Sequence, residues 1–283
     1  MSALVRTTRA ELFRLRRWPA VWVTVTAWLL LNALFNYVFN FVTYTSGDNS
    51  FSNQGESRAD VLASIVPSGI ADQLPQGAPL FGGAIMMVLG AVVAGNGYAW
   101  GTWKTVFTQG PSRLATVAGS MGAVVVIVTG LVAATLLTDV AMALGVAGLE
   151  SQPVTWPSTG YLLQSIGGSL FVMVMWALAG YFLGVVARGP AVSVGLGLVW
   201  ALVIEQLLRG VGNSLNAVAV FTHFLPGTAA GSLIGSIVGV GGPDSTPGII
   251  DTLSGSRALA TLAVWVVALP LATVWLVRRR DVA

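Results

Sequence analysis

Six long apolar stretches dominate this sequence of 283 residues, and the segments outside them hold most of the charge. Only 9% of the residues are charged, whereas a typical soluble domain carries about 25%. So few charged residues cannot cover a water-facing surface, and a helix that crosses a bilayer needs about 20 apolar residues. We therefore predict an all-α membrane protein that forms a single domain over residues 1–283.

The apolar stretches define the predicted spans. We place six transmembrane helices near residues 19–43, 80–99, 115–144, 160–187, 190–208 and 258–277. A further apolar segment, 215–241, is broken by Pro226-Gly227 and is rich in glycine. Because broken backbone at membrane depth is tolerated only against protein or a wet cavity, we predict an outer re-entrant helix pair before the last span.

Basic residues predict the orientation, because Lys and Arg near a membrane accumulate on its cytoplasmic side. With the N-terminus inside, eleven of the 14 basic residues fall on the cytoplasmic side: Arg6, Arg9, Arg14, Arg16, Arg17, Lys104, Arg113, Arg188, Arg278, Arg279 and Arg280. Both termini are therefore predicted to be cytoplasmic. The composition, rich in Arg, Ala, Gly and Val, is typical of a GC-rich bacterial genome, and we predict the bacterial inner membrane.

The N-terminal segment 1–18 is predicted to form a basic amphipathic helix at the interface. Leu4, Val5, Leu12, Leu15 and Trp18 share one broad face, and four arginines lie opposite. Such helices lie in the headgroup plane. Two alternatives stay open: the segment only determines topology, or it also contacts a cytoplasmic partner.

The inner loop between spans two and three holds a second candidate helix, 102–109, followed by Gly110-Pro111. Trp103 and Phe107 lie at positions i and i+4 and are expected to project from one face. Aromatic anchors of this kind dock into grooves of partner proteins. The alternative is anchoring at the membrane interface, where Trp is common.

Polar residues inside the spans form a third group. Asn32, Asn36 and Asn40 are spaced by four and share one helix face, where they either hydrogen-bond to a neighbouring helix or line a substrate route. Glu205 and Arg209 are predicted to form an ion pair at i and i+4. Asp139, near the predicted outer end of span three, either is paired or marks an ion path. Gly180 and Gly184 form a GxxxG motif that favours close helix packing.

Several chemistries are excluded by the residues that the sequence lacks. There is no cysteine and only one histidine, His223, so thiolate and paired-histidine metal sites cannot form. No P-loop is present around Lys104, the only lysine. We predict no catalytic, metal or cofactor site and no nucleic-acid binding. ATP-driven transport would require an ATPase on another chain.

Taken together, these features resemble the permease subunits of the type-2 ABC exporter family, also called type V exporters. The resemblance rests on Glu11-Leu12-Phe13-Arg14-Leu15 in the amphipathic start, the six spans, the long first outer loop and the broken outer segment. It also rests on Gly101-Thr102-Trp103-Lys104-Thr105 leading to Pro111-Ser112-Arg113. Family members often carry an acidic residue shortly before the Gly-Thr, whereas residues 96–100 contain none.

The resemblance implies an exporter of a drug, lipid, peptide or ion. A separate cytoplasmic ABC ATPase would bind ATP and Mg, and a second permease subunit would complete a homodimer or a heterodimer. The implied ATPase-docking residues are Glu11, Arg14, Gly101, Thr102, Trp103, Lys104, Thr105, Phe107 and Arg113. The implied outer gate contains Phe221, His223, Phe224 and Leu225. The alternatives are an ion-coupled secondary transporter and a membrane scaffold or sensor subunit that transports nothing.

Overall fold

The computed structural model describes residues 2–47, 57–109, 112–212, 214–239 and 246–280. Within these ranges the regular structure is helical and contains no strand. Six helical runs are long and apolar enough to cross a membrane: Pro19–Ser46, Pro67–Ala99, Arg113–Leu149, Thr159–Ala187, Pro190–Gly212 and Gly255–Arg279. The prediction of an all-α, multi-pass membrane protein with six such helices is confirmed.

Fourteen α-helices are described in these ranges, some of them joined end to end within one span. In chain order they are α1 (Ala3–Arg16), α2 (Pro19–Ala33), α3 (Phe39–Ser46), α4 (Arg58–Ile65), α5 (Ile70–Gln76), α6 (Gly83–Ala99), α7 (Thr102–Gln109), α8 (Arg113–Leu149), α9 (Thr159–Ala187), α10 (Pro190–Val199), α11 (Glu205–Gly212), α12 (Asn216–Thr222), α13 (Pro226–Val238) and α14 (Gly255–Arg279).

Three spans contain one turn of π-helix, at Leu34–Val38, Ala78–Gly82 and Trp200–Ile204. The first two of these turns meet, because the rings of Phe35 and Phe81 stack with their centroids 6.1 Å apart. Such turns widen an α-helix by one residue and occur often at functional positions.

The second span differs most from its prediction, since it begins at Pro67 and not near residue 80. The predicted span left Asp72, Gln73 and Pro75 outside it, but α5, which contains them, packs against α8 and α9. Gln73 is buried, and Asp72 accepts a hydrogen bond from the Tyr161 hydroxyl. The polar groups therefore find partners inside the fold, which hydropathy alone does not reveal.

The closest helix packing joins α6 and α9, and it depends on glycine. A Cβ atom on Gly90 would lie 1.9 Å from the carbonyl oxygen of Ala177, and one on Gly180 would lie 1.9 Å from that of Met87. A Cβ on Gly184 would lie 2.7 Å from Ala94. The GxxxG motif thus packs as predicted, because only glycine lets the two backbones approach this closely.

The first and third spans run parallel, and a ladder of side-chain hydrogen bonds fixes their register. Trp28 Nε1 donates to Thr135 Oγ1 at 2.9 Å, and the Tyr44 hydroxyl donates to Glu150 Oε2 at 2.8 Å. The two pairs are separated by 107 and 106 residues. A nearly constant offset requires both spans to point the same way, as the predicted topology requires.

Contacts near the ends of the helices define the two ends of the bundle. Ser120 near the start of α8 donates to Glu11 of α1, and Arg280 Nη1 after α14 donates to the Val186 carbonyl at 3.1 Å. We call this the basic end, because α1 and the residue after it, α7, the start of α8, the α9–α10 turn and the end of α14 bring the eleven basic residues named above to it. At the opposite end, Thr246 donates to Gln76.

The segment before the last span is broken as predicted. Helices α12 and α13 meet at a bend of 74°, with Pro226 at the start of α13. Residues 240 and 241 of the predicted pair, and the predicted terminator Gly110-Pro111 after α7, lie outside the described residues.

Candidate functional site

Helix α7 lies at the basic end between the second and third spans, and its tryptophan points inward. Trp103 is only 5% exposed, and its Nε1 donates to the Ala94 carbonyl at 3.1 Å. Its ring stacks on Phe107, with centroids 5.4 Å apart, and fills the space beside Gly97. The expectation that Trp103 is an exposed docking aromatic is therefore wrong, because Trp103 anchors α7 to α6. Phe107 is half-buried, and the docking role of this helix stays a prediction.

The opposite face of α7 is polar and exposed. It presents Lys104, Thr105 and Thr108. Gly101 begins the turn into this helix with φ +66°, a conformation that favours glycine. Arg113, exposed at the start of α8, lies with its guanidinium 5.8 Å from the Phe107 ring. The accessible groups on this surface are thus hydroxyls and cations.

Helix α1 packs along the first turns of α8. Thr7 Oγ1 donates to the Ala115 carbonyl at 2.9 Å, and a Cβ on Gly119 would lie 2.3 Å from that hydroxyl. Glu11 Oε1 accepts from Arg14 and from Ser120 Oγ at 3.1 Å. Glu11 and Arg14, the two charged residues of α1 that were predicted to contact an ATPase, are therefore half-buried. They bond to each other, and Glu11 also bonds to α8.

A cavity of about 180 Å³ separates α1 from α7. Thr7, Glu11 and Arg14 line one wall, and Thr102, Trp103 and Val106 line the other. The predicted docking residues thus gather at one place, but they divide into two groups. Lys104, Thr105 and Arg113 are exposed, whereas Glu11, Arg14, Gly101, Thr102, Trp103 and Phe107 are buried or half-buried.

No protein-family model and no curated protein matches this sequence. The roles of these residues therefore have to follow from their own contacts.

The asparagine stripe of the first span lies inside the bundle. Asn32 Nδ2 donates to Asp139 Oδ1, and Asn36 Nδ2 donates to Asn32 Oδ1 at 3.0 Å and to the Gln73 carbonyl at 3.1 Å. Asn40 Nδ2 bonds to the Asn36 carbonyl of its own helix. Of the two alternatives, this geometry is that of interhelical hydrogen bonding; Asn32 and Asn36 have no open surface here from which to line a route.

The sequence did not predict that Asp139 bonds to the asparagine stripe. It lies ten residues before the end of α8, farther from the outer end than predicted, and it is fully buried. Among the described residues, its Oδ2 and the buried Tyr37 hydroxyl find no hydrogen-bond partner. The only sequence signal was an acidic residue within an apolar span.

The predicted Glu205–Arg209 ion pair does not form as a direct contact among the described residues. Glu205 is 1% exposed, and its Oε1 accepts from Trp200 Nε1 at 2.9 Å. Its Oε2 faces the start of α13, where a Cβ on Gly227 would lie only 2.0 Å away. The carboxylate therefore points at a helix N-terminus, which favours negative charge, and not at the half-buried Arg209.

The four predicted gate residues do not form one cluster. Phe221 and Phe224 are exposed, His223 is half-buried and Leu225 is buried. Trp265 of α14 donates through Nε1 to the Phe224 carbonyl at 2.9 Å, which ties the bend of the outer pair to the last span. Phe221 and Phe224 thus face outward from the subunit.

An apolar cavity of about 320 Å³ lies between the fourth, fifth and sixth spans. Trp176, Trp200 and Trp265 line it together with aliphatic side chains. Among the described residues, no three His, Asp or Glu side chains gather closely enough to hold a metal ion.

Proposed function

We propose that this chain is the transmembrane permease subunit of an ATP-driven exporter of the type-2 ABC kind. The observation that carries the proposal is the position of α7. This helix lies at the basic end, between the second and third spans, and is anchored through Trp103 so that Lys104, Thr105 and Thr108 face outward. A helix that packs against two spans, as α7 does against α6 and α8, can pass a push from a bound protein to both of them.

The sequence supports a division of labour between two chains. It contains no P-loop, so ATP and Mg would be bound by a separate cytoplasmic ABC ATPase. That ATPase would seat on the exposed face of α7 and on Arg113. Glu11, which also accepts from Arg14, joins α1 to α8, and Trp103 joins α7 to α6. Their role in this proposal is therefore to position the helices that carry the docking surface.

The basic end is proposed to face the cytoplasm of a bacterial cell, with both termini inside, because basic residues accumulate there. A second permease subunit, identical or related, would complete the pathway. The outward-facing Phe221 and Phe224 would lie near the outer exit. The two states of the pathway must differ in their contacts with the ATPase, since ATP could not otherwise drive the change.

Co-purification tests the proposal. The chain is extracted gently from its native host as the wild type, as Lys104→Glu and as Arg257→Glu, a matched charge reversal at the opposite end. We expect a P-loop ATPase to co-purify with the wild type and with Arg257→Glu, and to be reduced at least tenfold with Lys104→Glu. Trp103→Ala is not used here, because it removes a buried side chain.

An ion-coupled secondary transporter is the second candidate. It is favoured by the buried Oδ2 of Asp139, which has no hydrogen-bond partner within the described part of the chain. The same experiment separates the two. Absence of any ATPase from the wild-type preparation would contradict the exporter proposal and favour ion coupling. Transport by the chain alone in liposomes, driven by an ion gradient, would support that alternative directly.

A further inference from the structure

We propose that the exposed face of α1 binds the headgroups of anionic phospholipids. This face consists of Arg6, Arg9, Phe13, Arg16 and Arg17, and we call it the arginine face. All five side chains are exposed. The proposal concerns a lipid site and does not depend on whether the chain is an exporter permease.

The fold holds the arginine face outward. Residues three and four apart share one side of a helix, and this spacing places the four arginines and Phe13 together. The opposite side of α1 packs against α8 through Thr7, Thr8 and Glu11. Because Thr7 and Thr8 fit against Gly119 of α8, α1 cannot rotate to bury its arginines without losing this contact.

The cations of this face are not neutralised by the protein. Glu11 is the only acidic residue between positions 2 and 47, and it lies on the opposite side, bonded to Arg14 and Ser120. In the described part of the chain, the guanidinium groups of Arg6, Arg9 and Arg16 have neither an ion pair nor a hydrogen bond. Arg17 lies over the Phe13 ring at 4.4 Å. These exposed cations are therefore available to an external anion.

Aromatic side chains place this face at headgroup depth. Trp22 Nε1 donates to the Arg16 carbonyl at 2.8 Å, and the rings of Trp18 and Trp100 meet edge to face at 5.5 Å. Tryptophan is enriched where a membrane meets water, and the first span begins at Pro19, directly after α1.

Phe13 decides between a lipid and an acidic protein surface as the partner. It is 60% exposed and lies between the arginines on the face. Interfacial helices combine basic residues with Phe that enters the boundary between phosphates and acyl chains, and long basic side chains beside such a ring reach up to the phosphate level. The observations therefore favour an anionic lipid surface.

Lipid titration tests the proposal. The purified full chain, in uncharged detergent, is titrated with phosphatidylglycerol or with phosphatidylcholine, and bound lipid is counted by native mass spectrometry. We expect preferential binding of phosphatidylglycerol that weakens with added salt. Each Arg→Gln change should lower that affinity about fivefold, since one basic residue near an anionic surface contributes on the order of 1 kcal/mol.

The combined variant R6Q/R9Q/R16Q/R17Q should lose the preference, whereas R58Q/R257Q at the opposite end should keep it. Helix content by circular dichroism checks folding; if the combined variant misfolds, R9Q alone carries the test. Equal binding of both lipids by the wild type would overturn the proposal, and so would an unchanged preference in a folded combined variant. Stronger competition by inorganic phosphate than by chloride at equal ionic strength would assign a free-phosphate site instead. Loss of a co-purifying protein with lipid binding unchanged would assign a protein-docking surface.

Discussion

Asn32 Nδ2 lies 2.6 Å from Asp139 Oδ1, and this hydrogen bond joins the first and third spans inside the apolar part of the bundle. The same asparagine accepts from Asn36, which reaches the backbone of Gln73 at the start of the second span. Three spans are thus held by one buried polar network. Such bonds stabilise membrane helices because the alternative is an unsatisfied polar group in hydrocarbon.

A double-mutant cycle should detect this link. We expect Asn32→Ala and Asp139→Ala each to destabilise the protein, and the double variant to lose less than the sum by about 1 kcal/mol, a typical size for a buried bond between membrane helices. Reversible unfolding in mixed micelles measures the free energies. Asn40→Ala is the control, because its one side-chain bond to a described residue stays within its own helix. Additive losses would show that the contact contributes nothing.

Gly90→Ala should be strongly destabilising. The added methyl group would lie 1.9 Å from the Ala177 carbonyl oxygen, so α6 and α9 would have to separate, at a cost of about 1–3 kcal/mol. Thermal unfolding in detergent measures the effect. Gly130→Ala on α8 has no atom within 4 Å of the added group and should be neutral or slightly stabilising. Similar losses for both variants would contradict the packing described here.

Substitutions at Trp103 and Lys104 should show that the buried side of α7 stabilises the fold and that its exposed side does not. Trp103→Phe loses the 3.1 Å bond to the Ala94 carbonyl and should cost about 1 kcal/mol, whereas Lys104→Ala at an exposed position should stay within about 0.5 kcal/mol of the wild type. The free energy of unfolding measures both. If Lys104→Ala is the more destabilising change, α7 does not pack as described.

Gly227→Ala should loosen the outer helix pair. Its methyl group would lie 2.0 Å from Glu205 Oε2, which forces the carboxylate away from the N-terminus of α13 or shifts that helix. We expect faster proteolysis near α12 and α13. Gly210→Ala, with no neighbour within 4 Å of the added group, is the matched control. Equal cleavage of both variants would argue against the Glu205 contact.

Single cysteines should report the orientation, because the chain contains none of its own. Lys104→Cys lies at the exposed surface of the basic end, and Thr155→Cys is exposed between α8 and α9 at the opposite end. In intact cells, a thiol reagent that cannot cross the membrane should label position 155 and leave position 104 unlabelled until the cells are opened. The reverse pattern would invert the proposed topology.

The six spans were predictable because each is a local property: about 20 apolar residues in sequence identify a membrane helix wherever it packs. The start of the second span was not predictable, because Asp72 and Gln73 have the polarity of loop residues. Their hydrogen bonds to Tyr161 and Asn36 are seen only in the folded structure. Polar residues become acceptable in a span through partners that are distant in sequence.

In the candidate site, too, the local features were predictable and the contacts between distant segments were not. The spacing of Trp103 and Phe107 predicted a helix with both rings on one side, and α7 has this form. Whether that side faces solvent or Gly97 depends on the angle between α7 and α6, which no local pattern encodes. Glu205 and Arg209 likewise have the spacing of a pair, but the start of α13, more than 20 residues away, receives the carboxylate instead.

The stacked rings of Phe35 and Phe81 mark where two neighbouring spans each carry a π turn. An α-helix advances about 100° per residue. If one π turn changed to α-helical geometry, the part of the helix on one side of the turn would therefore rotate by about 100° relative to the part on the other side. The segments of the first two spans beyond these turns, opposite the basic end, would therefore rotate about the same level of the bundle, where Phe35 contacts Phe81.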